Sequence, residues 1–124
     1  MNTRFVPALV LSLAAAFATS ADAEPAARMI GGRLVNGAGM TLYTFDKDVA
    51  GSGKSACNGA CPAIWPPAAA AADAEPEGDL SVVTRDDGAK QWAYKGRPLY
   101  LYSFDKKAGD ATGDNNGNVW HVVK

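Results

Sequence analysis

The chain carries one short pattern twice, and this internal repeat limits its fold more than any other feature. Each copy has a tyrosine, a second aromatic residue two positions later and an aspartate three positions after that. The repeated residues are Tyr43, Phe45 and Asp48 in the first copy, and Tyr100, Tyr102 and Asp105 in the second. A tryptophan follows at the end of each copy. The pattern therefore predicts two similar structural units within one fold.

Each copy predicts a β-hairpin followed by a long loop. The predicted strands alternate apolar and polar residues or are rich in β-branched residues, and turn sequences such as Asp86-Asp87-Gly88 separate them. The predicted strands are residues 33–35 and 40–45 in the first copy, 80–85, 90–94 and 99–104 in the second, and 118–123 at the end. The predicted fold class is all-β, with two hairpin-plus-loop repeats forming one small antiparallel β domain.

The first 23 residues have the layout of a signal peptide. Arg4 precedes an apolar run from Phe5 to Ala18, and Ala21-Asp22-Ala23 places small residues where a signal peptidase cleaves. The run is shorter than the roughly 20 apolar residues that a membrane helix needs. We therefore expect cleavage before Glu24, no stable membrane insertion after cleavage, and a periplasmic or secreted mature protein.

The mature chain, residues 24–124, has the length of a single domain. We expect repeat one at about 30–67, an Ala/Pro linker at about 68–79 and repeat two at about 80–124. The formal net charge is -1, without runs of like charge, so neither nucleic acid nor an anionic membrane is an expected partner. The expected partner is an envelope component or a small ligand.

The two motifs resemble those of a bacterial secreted-repeat family, described as predicted lipoproteins with a Yx(FWY)xxD motif. Other residues carry the same resemblance: Cys57, Cys61, Trp65-Pro66-Pro67 and Trp120-His121-Val122. The resemblance implies an exported cell-envelope protein of unassigned activity. No cysteine precedes Cys57, so no lipid anchor is expected at the predicted cleavage site.

Cys57 and Cys61 are the only cysteines, and an exported protein meets an oxidising compartment, so we predict a disulfide between them. Their spacing and the proline at position 62 do not suit covalent haem attachment or a thioredoxin-type motif. His121 is the only histidine, which leaves a zinc site short of ligands. Redox switching and metal binding remain alternatives to a structural disulfide.

The polar segment from Gly109 to Asn118 contains weak candidate ligands for a hard cation, namely Asp110, Asp114 and Asn116. Their order does not match an EF-hand, and the same residue types form ordinary surface turns. We predict neither a metal site nor a cofactor.

Some aromatic residues could instead face a ligand: Trp65, Trp92 and Trp120, with His121 beside the last. Aromatic residues in a small β domain also fill the core, which is the competing interpretation. The chain shows no nucleophile with an arranged base and no phosphate-binding loop after a strand, so no enzyme is predicted.

The leading hypothesis is a non-enzymatic binding or interaction module. A periplasmic metal-binding or redox accessory protein is the first alternative, and an enzyme that uses Asp48 and Asp105 as a carboxylate pair is the second. We expect the two aspartates to be structural, each accepting hydrogen bonds from backbone N–H groups of the turn that follows it.

Overall fold

The computed structural model describes residues 26–124, which form short strands joined by turns and long loops. The strands are β1 (Ala27–Ile30), β2 (Arg33–Asn36), β3 (Tyr43–Phe45), β4 (Leu80–Thr84), β5 (Lys90–Tyr94), β6 (Arg97–Pro98) and β7 (Trp120–Val122). Within these residues, helical structure is confined to α1 (Cys61–Ile64) and a 3₁₀ turn at Asn116–Asn118. The predicted signal peptide lies outside the described residues.

The strands form three small antiparallel sheets, β1–β2, β3–β7 and β4–β5–β6. Gly31 and Gly32 connect β1 to β2 at φ values of 60° and 84°, the positive values that tight hairpin turns require. Gly88 has φ of 90° in the turn between β4 and β5, where the sequence predicts a hairpin. The prediction of an all-β, antiparallel fold is confirmed.

The structure differs from the sequence-based expectation in three places. The segments 33–35 and 40–45 do not pair as a ladder, since β2 pairs with β1 and β3 pairs with β7, and only Val35 and Thr41 form a bridge between them. The sequence does not predict β1, because no alternation of apolar and polar residues marks it. In the structure three of its four residues are exposed. Residues 99–104 do not form a regular strand and make isolated bridges at Tyr100 only, to Tyr43 and Pro67. The Leu101 amide donates to the Pro66 carbonyl at 2.7 Å, but Pro66 has no N–H to return the bond, so the ladder beside residues 99–104 ends there.

The two copies are intertwined, since each motif segment pairs with the tryptophan segment of the other copy. From the first copy, β3 pairs with β7 at the end of the second, and Phe45 lies opposite Trp120. From the second copy, the backbone of Tyr100 bridges to Pro67, two residues after Trp65. The C-terminal strand thus completes the sheet that the first copy begins.

The two motif segments meet at their tyrosines. The Tyr43 amide donates to the Tyr100 carbonyl at 2.8 Å, and the Tyr100 amide donates to the Tyr43 carbonyl at 2.9 Å. Such a doubly bonded antiparallel pair relates the copies by an approximate two-fold axis. Contacts made by one copy can therefore recur in the other with the roles exchanged.

The Ala/Pro segment expected as a linker begins as part of the sheet. Ala69 bridges to Gln91 of β5, and the Ala68 amide donates to the Leu99 carbonyl at 2.9 Å. The Ala68 carbonyl in turn accepts from the Trp92 amide at 2.8 Å. These backbone bonds hold the start of the segment against β5.

The core has an aliphatic and an aromatic part. The aliphatic part consists of Leu34, Leu42, Ala68, Leu80 and Leu99. The aromatic part consists of Tyr43, Cys57, Trp65, Tyr100 and Trp120. The aromatic part contains several of the candidate site residues, and both copies contribute to it.

Candidate functional site

The motif tyrosines and aspartates form two reciprocal hydrogen bonds between the copies. The Tyr43 hydroxyl donates to Asp105 Oδ2 at 2.6 Å, and the Tyr100 hydroxyl donates to Asp48 Oδ2 at 2.6 Å. All four side chains are buried, and we call them the Tyr–Asp clasp. Each copy supplies the donor for the acceptor of the other, so one copy cannot form the clasp alone.

The second oxygen of each carboxylate holds the loop that follows it. Asp48 Oδ1 accepts from the Ala56 amide at 2.6 Å, and Asp105 Oδ1 accepts from the amide and hydroxyl of Thr112 at 2.9 Å and 2.6 Å. The loop bonds match what we expect of a structural aspartate, whereas the tyrosine donor from the other copy is new. Both oxygens of each carboxylate are thus engaged by donors inside the protein.

Burial shifts the pKa of Asp48, Tyr43 and Tyr100 in the clasp. It raises the pKa of Asp48, against the opposing effect of the hydrogen bonds from Tyr100 and Ala56. Burial is also the main cause that raises the pKa of Tyr43 and of Tyr100, and the bonded aspartate raises each further. Both hydroxyls therefore remain protonated near neutral pH and act as donors.

Four aromatic rings stack in a row that we call the aromatic column. Its members are, in order, Phe45, Trp120, Trp65 and Tyr102. The successive ring centroids are 4.1 Å, 3.9 Å and 4.2 Å apart. Tyr43 packs edge-on against Trp65 at 5.2 Å, and Tyr100 packs edge-on against Trp120 at 5.1 Å. Both arrangements are favourable for aromatic rings, and the column crosses the junction between the copies.

The residues predicted as possible ligand contacts lie in different environments. Trp65 and Trp120 are each 5% exposed and have a stacked ring on both faces, which leaves neither face for a ligand. Trp92 is half-buried against the aliphatic core. His121 lies near the surface with Nε2 2.8 Å from Asp46 Oδ2. Ligand contact by Trp92 or His121 stays a prediction.

The weak candidate metal ligands are held by separate internal bonds. Asp110 accepts from the side chain of Lys107 at 2.9 Å, and this bond is the main cause that lowers the pKa of Asp110. Asp114 accepts from a backbone amide of β7 at 2.9 Å, and Asn116 donates to the Tyr102 hydroxyl at 3.5 Å. Across residues 26–124, no group of three or more His, Cys, Asp or Glu is placed to hold a metal ion.

The cysteine pair belongs to the first copy alone. Cys57 and Cys61 form a disulfide, as the sequence predicts. Cys57 lies in the aromatic core at 0% exposure, whereas Cys61 is half-buried at the start of α1. The loop after Asp105 in the second copy is held by Thr112 without a covalent link.

Arg85 is a buried charge that the sequence does not predict. It is 5% exposed, and its Nη1 donates to Ser55 Oγ at 3.0 Å and to Gln91 Oε1 at 2.7 Å. Its Nη2 donates to the Cys57 carbonyl. Ser55 Oγ also lies 2.6 Å from the Tyr100 hydroxyl, so Ser55 connects Arg85 to the clasp. These three direct acceptors of Arg85 are all uncharged.

A cleft of about 490 Å³ opens beside Arg85, between the disulfide loop and the turn that joins β4 to β5. The lining residues are Asn58, Gly59, Pro62, Arg85, Asp86 and Asp87. Asp87 Oδ1 accepts from the Ala89 amide at 2.9 Å, and Asp86 lies 3.9 Å from Lys54 Nζ. The volume lies within the range of small-molecule sites. None of the lining residues belongs to the repeated motif.

The intertwined sheets, the clasp and the column together define a two-repeat β protein. Two segments of the chain, residues 25–69 and 81–124, match the family model described as a secreted repeat of unknown function, and the chain belongs to this family. Membership supports export from the cell. No curated protein and no solved structure matches the chain. Among residues 26–124, no helix has the length and apolar character to cross a membrane.

Proposed function

We propose that this protein is a non-enzymatic binding module of the cell envelope, and that it holds a small polar ligand in the cleft beside Arg85. The observation that carries this proposal is a guanidinium, 5% exposed, that lines a cleft and has three neutral acceptors as its direct partners. A fixed, planar guanidinium can bind a ligand oxygen with little further ordering.

The difference between repeated and unrepeated residues supports the cleft as the location of the ligand site. The repeated tyrosines and aspartates bond to each other and to their own loops, so they serve the fold. The cleft is lined by residues in which the copies differ: the disulfide loop comes from the first copy and the β4–β5 turn from the second. A protein that binds one ligand needs one binding surface, so the residues that form it need not be repeated.

The lining also indicates the chemistry of the ligand. Arg85 is a donor, the carboxylates of Asp86 and Asp87 are acceptors, and the Asn58 amide is both. The Asn58 Nδ2 already donates to the Ser55 carbonyl at 3.0 Å, which fixes the orientation of this amide. We infer a ligand that carries both hydrogen-bond donors and oxygen acceptors, such as a polyol or a zwitterion, and no cofactor.

Several observations favour binding over catalysis. Both clasp carboxylates accept bonds from groups inside the protein and neither lines the cleft, so neither is placed as a general base for a ligand there. Both cysteines are joined in the disulfide, so neither is a thiol nucleophile in the oxidised protein.

The ligand proposal is tested by NMR titration of the mature protein with a panel of polyols, amino acids and sugars at millimolar concentration. At least one probe should shift the amide signals of Asn58, Gly59 and Asp87 most strongly. Asp86→Ala should weaken this binding about tenfold, the loss of one hydrogen bond to a charged group. Glu75→Ala is the control, because Glu75 is exposed and does not line the cleft.

The same titration can contradict the proposal. If no probe shifts the signals of the cleft residues, or if Asp86→Ala and Glu75→Ala bind equally well, the cleft is not the site.

The export proposal has its own test. The mature protein is expected to begin at Glu24 without an attached lipid, and intact-mass analysis of the exported protein measures both properties. A mass that includes residues 1–23, or an added acyl chain, would contradict it.

A further inference from the structure

We propose that the Cys57–Cys61 disulfide is a thiol–disulfide exchange site, which a dithiol protein of the exported compartment opens by attacking Cys61. This exchange would occur whether or not the cleft binds a ligand. Four features of the structure support it: the comparison of the two copies, the access to each sulfur, the charge beside Cys57, and the bonds that hold the loop.

The fold places a loop in the same position twice but a disulfide only once. In both copies the motif aspartate holds a backbone amide of the following loop, Ala56 after Asp48 and Thr112 after Asp105. In the second copy this loop is ordered without a covalent link. The disulfide is therefore an addition to the contacts that both copies use to fold, and its chemistry can serve another purpose.

The two sulfur-bearing residues differ in access. Cys57 has no exposed surface and packs with Tyr100, Trp65 and Trp120 in the aromatic core. Cys61 is half-buried and precedes Pro62, which lines the cleft. Exchange requires a thiolate to reach a sulfur atom, and of the two residues only Cys61 has exposed surface. The attack therefore falls on Cys61, and Cys57 is the leaving group.

The surroundings of Cys57 suit a leaving sulfur. Arg85 donates to the Cys57 carbonyl, which places a buried cation beside this residue. A neighbouring cation favours the thiolate and so opposes the effect of burial among aromatic rings, and a more stable thiolate leaves faster. Cys57 Sγ also lies 3.9 Å from the Trp65 carbonyl oxygen, which can accept a hydrogen bond once the sulfur is protonated.

The loop does not depend on the disulfide alone. The Cys57 amide donates to Ser55 Oγ at 3.1 Å, and its carbonyl accepts from Arg85. The next residue back, Ala56, is held by Asp48 at 2.6 Å. We therefore expect Cys57 to keep its place after the disulfide opens, so that the reaction is reversible.

The reaction balances with a dithiol as the reductant. A partner thiolate forms a bond to Cys61 Sγ, the Cys57–Cys61 bond breaks, and its electron pair passes to Cys57 Sγ, which takes up a proton. The second thiol of the partner, as its thiolate, then attacks the partner's own sulfur and releases Cys61 as a thiolate, which is protonated. The protein disulfide gains two electrons and two protons, and the partner dithiol becomes a disulfide.

The first test uses the oxidised mature protein with dithiothreitol as the dithiol. The rate of opening is measured by alkylation and mass analysis, in native buffer and in denaturing urea. The native rate should lie within about a hundredfold of the rate in urea, because local access suffices. A native rate lower than that means that opening needs global unfolding and would overturn the proposal. Near-UV circular dichroism should show the aromatic signal retained in the reduced protein.

The second test locates the reactive sulfur without a mutation. The reduced wild-type protein is alkylated briefly in native buffer with less than one equivalent of iodoacetamide, and the labelled residue is identified by peptide mass analysis. Label should appear on Cys61 in about tenfold excess over Cys57, because access controls the reaction. Equal labelling, or an excess on Cys57, would overturn the assignment of Cys61 as the attacked residue.

Discussion

The loops that follow the two motif aspartates, residues 49–64 and 106–119, start from equivalent carboxylates and lead to equivalent tryptophans, yet they are built differently. The first contains the disulfide and receives the buried Arg85 side chain from the second copy. The second is held by Thr112 and continues into asparagine-rich turns. The clasp and the column between the loops are nearly symmetric. We propose that the duplicated contacts serve the fold and that the contacts that differ mark the candidate sites.

The symmetric part is tested first, because it should give the largest effect. Tyr43→Ala and Tyr100→Ala each remove a fully buried ring and the donor of one clasp bond. Each variant should lose about 3–5 kcal/mol of unfolding free energy, the usual cost of deleting a buried aromatic side chain. Urea unfolding followed by tryptophan fluorescence measures the loss. A difference of more than about 2 kcal/mol between the variants would contradict an equal role for the copies.

Substitutions of the two motif aspartates should differ in their effect on stability. Asp105→Asn replaces a carboxylate that accepts three hydrogen bonds, and turning one oxygen into a donor should cost about 1–3 kcal/mol. Asp48→Asn should cost less unfolding free energy than Asp105→Asn. Asp48 accepts two hydrogen bonds instead of three, and its buried charge opposes folding. Thermal unfolding of both variants gives the order, and an equal or larger loss for Asp48→Asn would show the interpretation to be wrong.

Gly113 tests the packing between the second loop and the column. A Cβ on Gly113 would lie 2.6 Å from Trp65 and 2.9 Å from Tyr102, so Gly113→Ala should cost about 1–3 kcal/mol through overpacking. In the first copy Ala56 holds the place of Thr112, since its amide donates to the motif aspartate, and it is exposed. Ala56→Gly is therefore the control for a small change at an exposed position of the equivalent loop, with an expected cost of about 0.4–1 kcal/mol. Denaturant midpoints compare the two.

The raised pKa of Asp48 predicts a pH dependence that Asp48→Asn should abolish. A carboxyl whose pKa is higher in the folded than in the unfolded state is stabilised by protonation. That contribution is fully present below the unfolded value of 3.8 and is lost as pH rises through the folded value. Wild type should therefore gain stability over Asp48→Asn as the pH is lowered through the acid range. A gap that stays constant with pH would contradict a raised pKa.

The smallest effect is expected at the surface. Asp46→Asn removes the charge that faces His121 across β3 and β7, at a position where both side chains are partly exposed. Exposed pairs of this kind contribute about 0–1 kcal/mol. Thermal unfolding should show a small loss relative to wild type. A loss comparable to that of Asp105→Asn would mean that this pair is part of the core architecture.

Strands with local turn signals were predictable, as β4 and β5 around Gly88 illustrate. The disulfide was also predictable, because the chain has two cysteines close together and an exported protein meets an oxidising compartment. Arg85 was not, because an arginine directly before a hairpin turn resembles an ordinary exposed strand end. Its burial depends on acceptors from Ser55 and Cys57, about thirty residues away in the chain.

The sequence by itself determined the repeat, the β class, the cysteine pair and the membership of a secreted family, because each depends on residue types at short, regular spacing. Only the tertiary structure decided which tyrosine bonds to which aspartate. Tyr43 bonds to Asp105 across 62 positions and Tyr100 bonds to Asp48 across 52, while the aspartate of each tyrosine's own copy lies five residues away. Local spacing cannot distinguish these partners, since the choice follows from how the intertwined strands pack their aromatic rings into one core.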